Sequence, residues 1–230
     1  MIDLKNMFAV LVLILCFSPL FGQDNEYLST ADSDPEALAV LNGMKDKYEG
    51  YKNMKMDFSL EIEIPEEDKI VQTGNLIQEG EQFHLDFEQQ SVTSNGDKVW
   101  IHLKKNNEVQ IHSAAALAEE DNFISPQNLM KIYESNAFIF AISEELMQNG
   151  KRVAMIEAKP IDTESEFSKL RMTVDTRNMD MVSVKAFSKD GSRYTFINDK
   201  LSSNITIPAG SFEFDATAFP DIYIEDMRDY

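Results

Sequence analysis

The sequence predicts a mainly β domain with few helices. Apolar and polar residues alternate over many short segments, tight-turn dipeptides separate those segments, and only a handful of stretches carry helical spacing. The chain opens differently. Residues 1–22 read as a secretory signal peptide: Lys5 supplies a positive start, residues 7–17 form an apolar run, and small Gly22 precedes polar Gln23-Asp24. The run is far short of the roughly 20 residues a spanning helix needs, and Cys16 sits inside it after Leu15, where lipid modification at a cleavage point wants a small residue. Residues 23–34 are acidic with few apolar groups and read as a disordered leader, and residues 35–230 as one domain.

Removing residues 1–22 takes away Asp3 and Lys5, so the formal charge stays at −19, and takes away the single cysteine. No disulfide, thiol nucleophile or thiolate-bound zinc is then open to the mature chain, which suits an oxidising compartment. The acidic balance argues against nucleic acid and against electrostatic binding to an anionic membrane.

Asp34-Pro35 is a helix start, with Leu38, Leu41, Met44 and Tyr48 at helical spacing up to Gly50. From Met56 the period becomes two: Met56, Phe58, Leu60, Ile62 and Ile64 share a face opposite Asp57, Ser59, Glu61 and Glu63. Phe83, Leu85 and Phe87 repeat the pattern, as do Leu170, Met172 and Val174, then Val182, Val184 and Ala186, then Phe212 and Phe214. Turns fall at Glu79-Gly80, Asn95-Gly96, Lys105-Asn106-Asn107, Asn149-Gly150 and Asp190-Gly191, so neighbouring strands are antiparallel. In the hairpin over residues 99–112, an odd loop of three or five residues pairs Ile101 with Val109 and Val99 with Ile111. That register gathers the aliphatics and leaves Trp100, His102, Gln110 and His112 on the other face. A second helix starts at Ser125-Pro126 and carries Leu129, Met130, Ile132 and Tyr133. Residues 138–147 read as a further short helix, with a strand the alternative for the first half.

Roughly ten strands, each apolar on one side, must pair into a sandwich or curl around the shared apolar side. The 12 Phe and 10 Met that remain after residue 22 incline the reading toward a curled sheet with an adaptable interior, although Met also fills ordinary cores.

Chemistry is sparse. His84, His102 and His112 are the only histidines and read as solvent-facing strand residues. In the odd register His102 and His112 lie about 13 Å apart, too far to share a metal. There is no nucleophile elbow, phosphate-cradling glycine loop or HExxH. Glu66-Glu67, Glu119-Glu120 and Glu144-Glu145 sit in polar surroundings that would not tune a catalytic carboxylate. No catalytic residue, metal or cofactor is assigned, and the chain reads as a binder.

Several pieces in order resemble the periplasmic outer-membrane lipoprotein carrier (LolA) family, in a form like those of the Bacteroidetes. They are the opening helix followed by MKMDFSLEIE; GNLIQEGEQFHLDF; SNGDKVWIHLKKNNEVQIH, with Asn95 in place of the Asp of the family's D-G-x-x-x-W; ISPQNLMKIY; and FEFDATAFPDIYIEDMRD, similar to the closing F-x-F…P…D-x-R. The resemblance runs from about residue 34 to residue 228. It implies an incomplete antiparallel β-barrel whose concave apolar face is covered by a helical lid. It further implies a soluble, monomeric periplasmic protein of a Gram-negative bacterium, which takes acylated lipoproteins from an inner-membrane ABC-type release complex. The protein then shields their acyl chains and passes them to an outer-membrane acceptor. On this reading Phe58, Leu60, Ile62, Phe83, Leu85, Phe87, Val99, Ile101, Met172 and Val174 line the acyl-binding wall, and Leu129, Ile132 and Phe138 belong to the lid. Family members carry a lid-latching arginine before the Phe of the second hairpin. Here Gln78, Glu79 and Gly80 occupy that stretch.

Overall fold

The computed structural model describes residues 29–118 and 137–228. Twelve strands form one unclosed sheet: β1 (Met54–Glu63), β2 (Ile70–Glu79), β3 (Gln82–Phe87), β4 (Gln90–Ser94), β5 (Lys98–Leu103), β6 (Glu108–Ser113), β7 (Phe138–Gln148), β8 (Lys151–Pro160), β9 (Phe167–Asp175), β10 (Asp180–Ser188), β11 (Arg193–Ser203) and β12 (Tyr223–Asp226). Their spatial order is β12-β6-β5-β4-β3-β2-β1-β11-β10-β9-β8-β7. Every pairing is antiparallel except β12 on β6. The result is an incomplete antiparallel β-barrel rather than a two-sheet sandwich. Short connections make sequential strands antiparallel neighbours, and the pairing of β1 with β11 joins the two runs of hairpins into one sheet. At β7–β8 the turn needs two successive positive φ angles, and Asn149 (49°) and Gly150 (78°) supply them.

Helix α1 (Pro35–Glu49) begins as the sequence predicts: Asp34 Oδ1 accepts from Glu36 N at 2.9 Å, Pro35 takes the first position, and Gly50 closes the helix. It lays Ala37, Leu41 and Met44 on the concave face of the sheet. At its far end Lys47 Nζ meets Asp180 Oδ1 at 2.5 Å, and the Tyr48 hydroxyl accepts from Met181 N at 3.2 Å. A five-residue helix, α2 (Ala114–Ala118), follows β6 and buries Leu117 in the same core. The helix expected from Ser125 and the leader before Ser29 lie outside the described residues.

The reading of the fold from sequence needs five corrections. The last part of the supposed disordered leader is ordered: Thr30–Asp32 form a 3-10 turn, Asp34 N donates to Phe140 O at 2.7 Å, and Phe140 N donates to Ser33 Oγ at 3.1 Å. Residues 138–147 are not helical but belong to β7, because pairing with β8 along the whole segment outweighs the helical preference of Glu144-Glu145-Leu146-Met147. Phe212 and Phe214 lie in no strand. Glu213 N turns back to Gly210 O and Asp215 caps Thr217 N, so the two rings sit on a turn.

The β5–β6 hairpin is even, not odd. Val99 pairs with His112, Ile101 with Gln110 and His102 with Val109 across a four-residue loop with Asn107 at φ 52°. The aliphatics divide between two faces because the convex face here is covered too: Phe214 and Phe219 pack on His102, and Val109 is fully buried. Finally, a bulge at Val182 turns it out of the row it was expected to share with Val184 and Ala186. Met181 takes the core position instead, opposite Val174.

Candidate functional site

Strand register decides which side chains share a surface, and here it is explicit. Met54, Met56, Phe58, Leu60 and Ile62 pair through β2 with Gln78, Leu76, Gly74, Gln72 and Ile70. Those continue to Phe83, Leu85 and Phe87 on β3, then Ser94 and Val92 on β4, then Val99 and Ile101 on β5. In the other direction Leu60 pairs with Phe196, Phe196 with Val184, Val184 with Met172, and Met172 with Ile156. All ten residues expected on the wall therefore lie on one face, the face that α1 covers.

They divide by exposure. Phe58, Phe83, Val99, Met172 and Val174 are buried at 0–3%. Leu60, Ile62, Leu85, Phe87 and Ile101 are half-buried. Exposure grows along the strands away from Met54, ending at Ile70 (45%) and Tyr194 (38%) beside Ile62. The buried residues of α1 and Leu117 share a core cluster with Met54, so the apolar face is a trough covered near Met54 and increasingly exposed toward a rim at Ile62, Ile70 and Tyr194.

Phe138 does not belong to a cover. It sits on β7, pairs with Pro160, and its ring lies 6.3 Å from that of Phe140 on the same face of the sheet. Leu129 and Ile132 lie outside the described residues. Among the apolar residues that register adds to this face beyond those expected from sequence are Phe196, Leu76 and Ile142. Phe196 had a signal, its two-residue spacing from Tyr194; Leu76 had none, since Gly74 and Gln78 flank it in the row.

No arginine stands at residues 78–80: Gln78 Nε2 donates to Gly80 O at 3.2 Å, and Glu79 faces Lys52 at 3.6 Å. Gln78 Oε1 and His112 Nε2, both on the concave face, are buried without a hydrogen-bond partner.

The histidines are not solvent-facing, as sequence reading had them. His102 is 6% exposed beneath Phe214 and Phe219, and His84 Nδ1 shares a 2.8 Å hydrogen bond with Thr93 Oγ1 on the convex face. Burial lowers the pKa of both. Among the described residues no group of His, Cys, Asp and Glu could hold a metal ion.

The sequence profile of the outer membrane lipoprotein carrier protein LolA matches residues 49–215. The chain belongs to the LolA family. Solved structures similar to this chain share little of its sequence. An uncharacterized conserved protein from Thermus thermophilus is 7% identical, covering 83% of this chain and 99% of its own, with a TM-score of 0.56. Lipoprotein LppX of Mycobacterium tuberculosis is 10% identical over 76% of this chain and all of its own (TM-score 0.48), and a LolA superfamily protein from Nitrosomonas europaea is 10% identical over 78% and 98% (TM-score 0.41). No curated protein matches in sequence. The LolA family is periplasmic, and its fold supports lipid or lipoprotein binding. No helix among the described residues is long and apolar enough to cross a membrane.

Proposed function

We propose that this protein is a periplasmic carrier that receives acylated lipoproteins released from the inner membrane, shields their acyl chains in the trough, and delivers them to the outer membrane. The observation that carries this reading is the half-buried ribbon Leu60, Ile62, Leu85, Phe87 and Ile101, continuous with a fully buried floor. A folded core has no use for a row of large apolar side chains left partly wet. An acyl chain laid along it gains about 0.8 kcal/mol per methylene removed from water, so even part of one chain binds firmly. Release then requires only that the buried area shrink, and no bond need be made or broken.

The acyl-binding wall is Phe58, Leu60, Ile62, Phe83, Leu85, Phe87, Val99, Ile101, Met172 and Val174, with the five half-buried members in direct contact with lipid and the five buried ones forming the floor. The partners are an inner-membrane ABC-type release complex and an outer-membrane acceptor. Inner-membrane vesicles loaded with a labelled lipoprotein, incubated with the release complex, ATP and the purified protein, should transfer label to the soluble fraction, and then to outer-membrane vesicles. Label that never leaves the first membrane refutes acyl binding. Label that reaches the soluble complex but not the second membrane refutes delivery and leaves a lipoprotein-binding domain.

A further inference from the structure

The convex face carries a feature that the trough does not use. Four cations surround one aromatic ring: Lys169 Nζ lies 5.1 Å from the centre of Phe187, Arg171 Cζ 5.4 Å, Lys185 Nζ 5.7 Å and Arg193 Cζ 5.9 Å. The sheet puts them there. Phe187 on β10 pairs with Lys169 on β9 and with Arg193 on β11, and Lys185 pairs with Arg171. Exposed Lys159 extends the group on β8, next to the Ala158–Leu170 pair.

Two carboxylates hold the arrangement. Glu157 Oε1 accepts from Lys169 Nζ at 2.7 Å and from Arg171 Nη2 at 2.6 Å. Glu63 accepts from Lys185 Nζ at 3.3 Å and lies 3.8 Å from Arg193 Nη1. Four cations against two carboxylates, with exposed Lys159 on the same face beyond them, leave a local positive excess on a protein whose formal charge is −19. Cations crowded on adjacent strands repel one another, and the ring quadrupole and the two glutamates offset that repulsion only in part. The group is also reachable: Arg193 is 54% exposed in its side chain, and Lys169 and Arg171 34% each.

We propose that this platform docks an acidic segment of a protein partner. A rigid row of ammonium and guanidinium groups at strand spacing of about 4.8 Å matches carboxylates along an extended peptide, and guanidinium pairs with them bidentately. A planar anionic membrane would meet the acidic remainder of the surface as well, whereas a protein with a local acidic patch need touch only this region. Beyond a Debye length of about 8 Å the rest of the charge is screened. The site is next to the trough's rim: Tyr194, between Arg193 and Thr195, is one of the exposed residues there.

The test is fluorescence anisotropy of a labelled octaglutamate peptide with the chain from residue 23 onward, at about 20 mM and about 150 mM salt. Binding should be salt-sensitive, and Lys159→Glu with Arg193→Glu should weaken it about tenfold or more. Lys52→Glu with Lys105→Glu changes net charge equally at exposed positions elsewhere, and should leave affinity within about twofold. Both replaced platform residues are exposed, so folding should survive. If circular dichroism shows otherwise, Lys159→Gln alone should still weaken the peptide. Equal losses in both double variants, absence of binding at low salt, or stronger binding to vesicles of phosphatidylglycerol and phosphatidylethanolamine than to the peptide would overturn the proposal.

Discussion

The ring of Phe58 lies directly on the backbone of Gly74. A Cβ at that glycine would stand 2.6 Å from Phe58 Cζ and 2.7 Å from Asp86 O. The ring is held from both sides, by Phe87 at 5.3 Å edge-on and by Phe196 at 4.8 Å stacked, so it cannot yield, and the carbonyl belongs to the neighbouring strand. Gly74→Ala should therefore destabilise the protein by about 1–3 kcal/mol through overpacking. Urea denaturation would show it as a lowered midpoint, and an unchanged midpoint would mean that the ring repacks freely.

The wall contains two kinds of residue, and charge separates them. Leu85 and Ile101 are half-buried, so Leu85→Glu or Ile101→Glu should abolish acyl uptake at small cost in stability, since the carboxylate can stay hydrated. Phe58, at 2% exposure, should not tolerate Phe58→Glu at all. Uptake of a fluorescent fatty acid measured beside thermal unfolding distinguishes the two. A collapsed fold in Leu85→Glu would make that position structural.

Asp34 is a double anchor. One oxygen caps α1 through Glu36 N, and the other accepts from Ile142 N on β7 at 3.4 Å. Asp34→Ala should cost about 1–2 kcal/mol and raise hydrogen exchange in the first turn of α1. Equal exchange in both proteins would mean that packing of Ala37 and Leu41 holds the helix unaided.

Glu157 gives a pH signature. Hydrogen bonds from Lys169 and then Arg171 hold its carboxyl below its ordinary pKa. A carboxyl with its folded pKa depressed stabilises the fold above the unfolded value, and that contribution disappears as pH falls through the folded value. The stability gap between the native protein and Glu157→Gln should be present at neutral pH and close as the solution is acidified below about pH 4. A gap constant with pH would show that the carboxylate charge is not what the two cations recognise.

Asp226 offers a direct titration. The Arg228 side chain is its chief perturbation and brings its pKa down to about 2. A carbon-detected NMR titration should show that midpoint in the native protein and a clear rise toward the ordinary carboxylate range in Arg228→Ala, which removes the side chain but keeps the backbone N–H and Lys98. The same midpoint in both would exclude Arg228 as the cause.

What sequence alone disclosed follows from how local each cause is. The caps of α1, the turn at Asn149-Gly150 and the Phe83–Phe87 face depend on neighbours in the chain, and period-two spacing put the ten residues proposed for the acyl-binding wall on one face of the sheet. The β5–β6 register failed for a distant reason. Parity reasoning assumes that one face of the sheet is wet, and Phe214 and Phe219 come from about a hundred residues downstream to cover the face bearing His102 and Val109. β7 was misread for a similar reason, since its partner β8 and the docking of Ser33 on Phe140 supply what its sequence does not. The cations around Phe187 were invisible because they converge from three strands.

The sheet ends at β12 on one side and at β7 on the other. A four-residue parallel strand shields most of β6, while on β7 Ser33 and Asp34 occupy the edge at Phe140 and Ile142, and the bulge near Ser143 and the charges of Glu144 and Glu145 interrupt the rest. An unclosed sheet cannot protect its margins by closing into a ring. These blunted margins are therefore what stands between a working binding protein and strand-to-strand aggregation with its own copies.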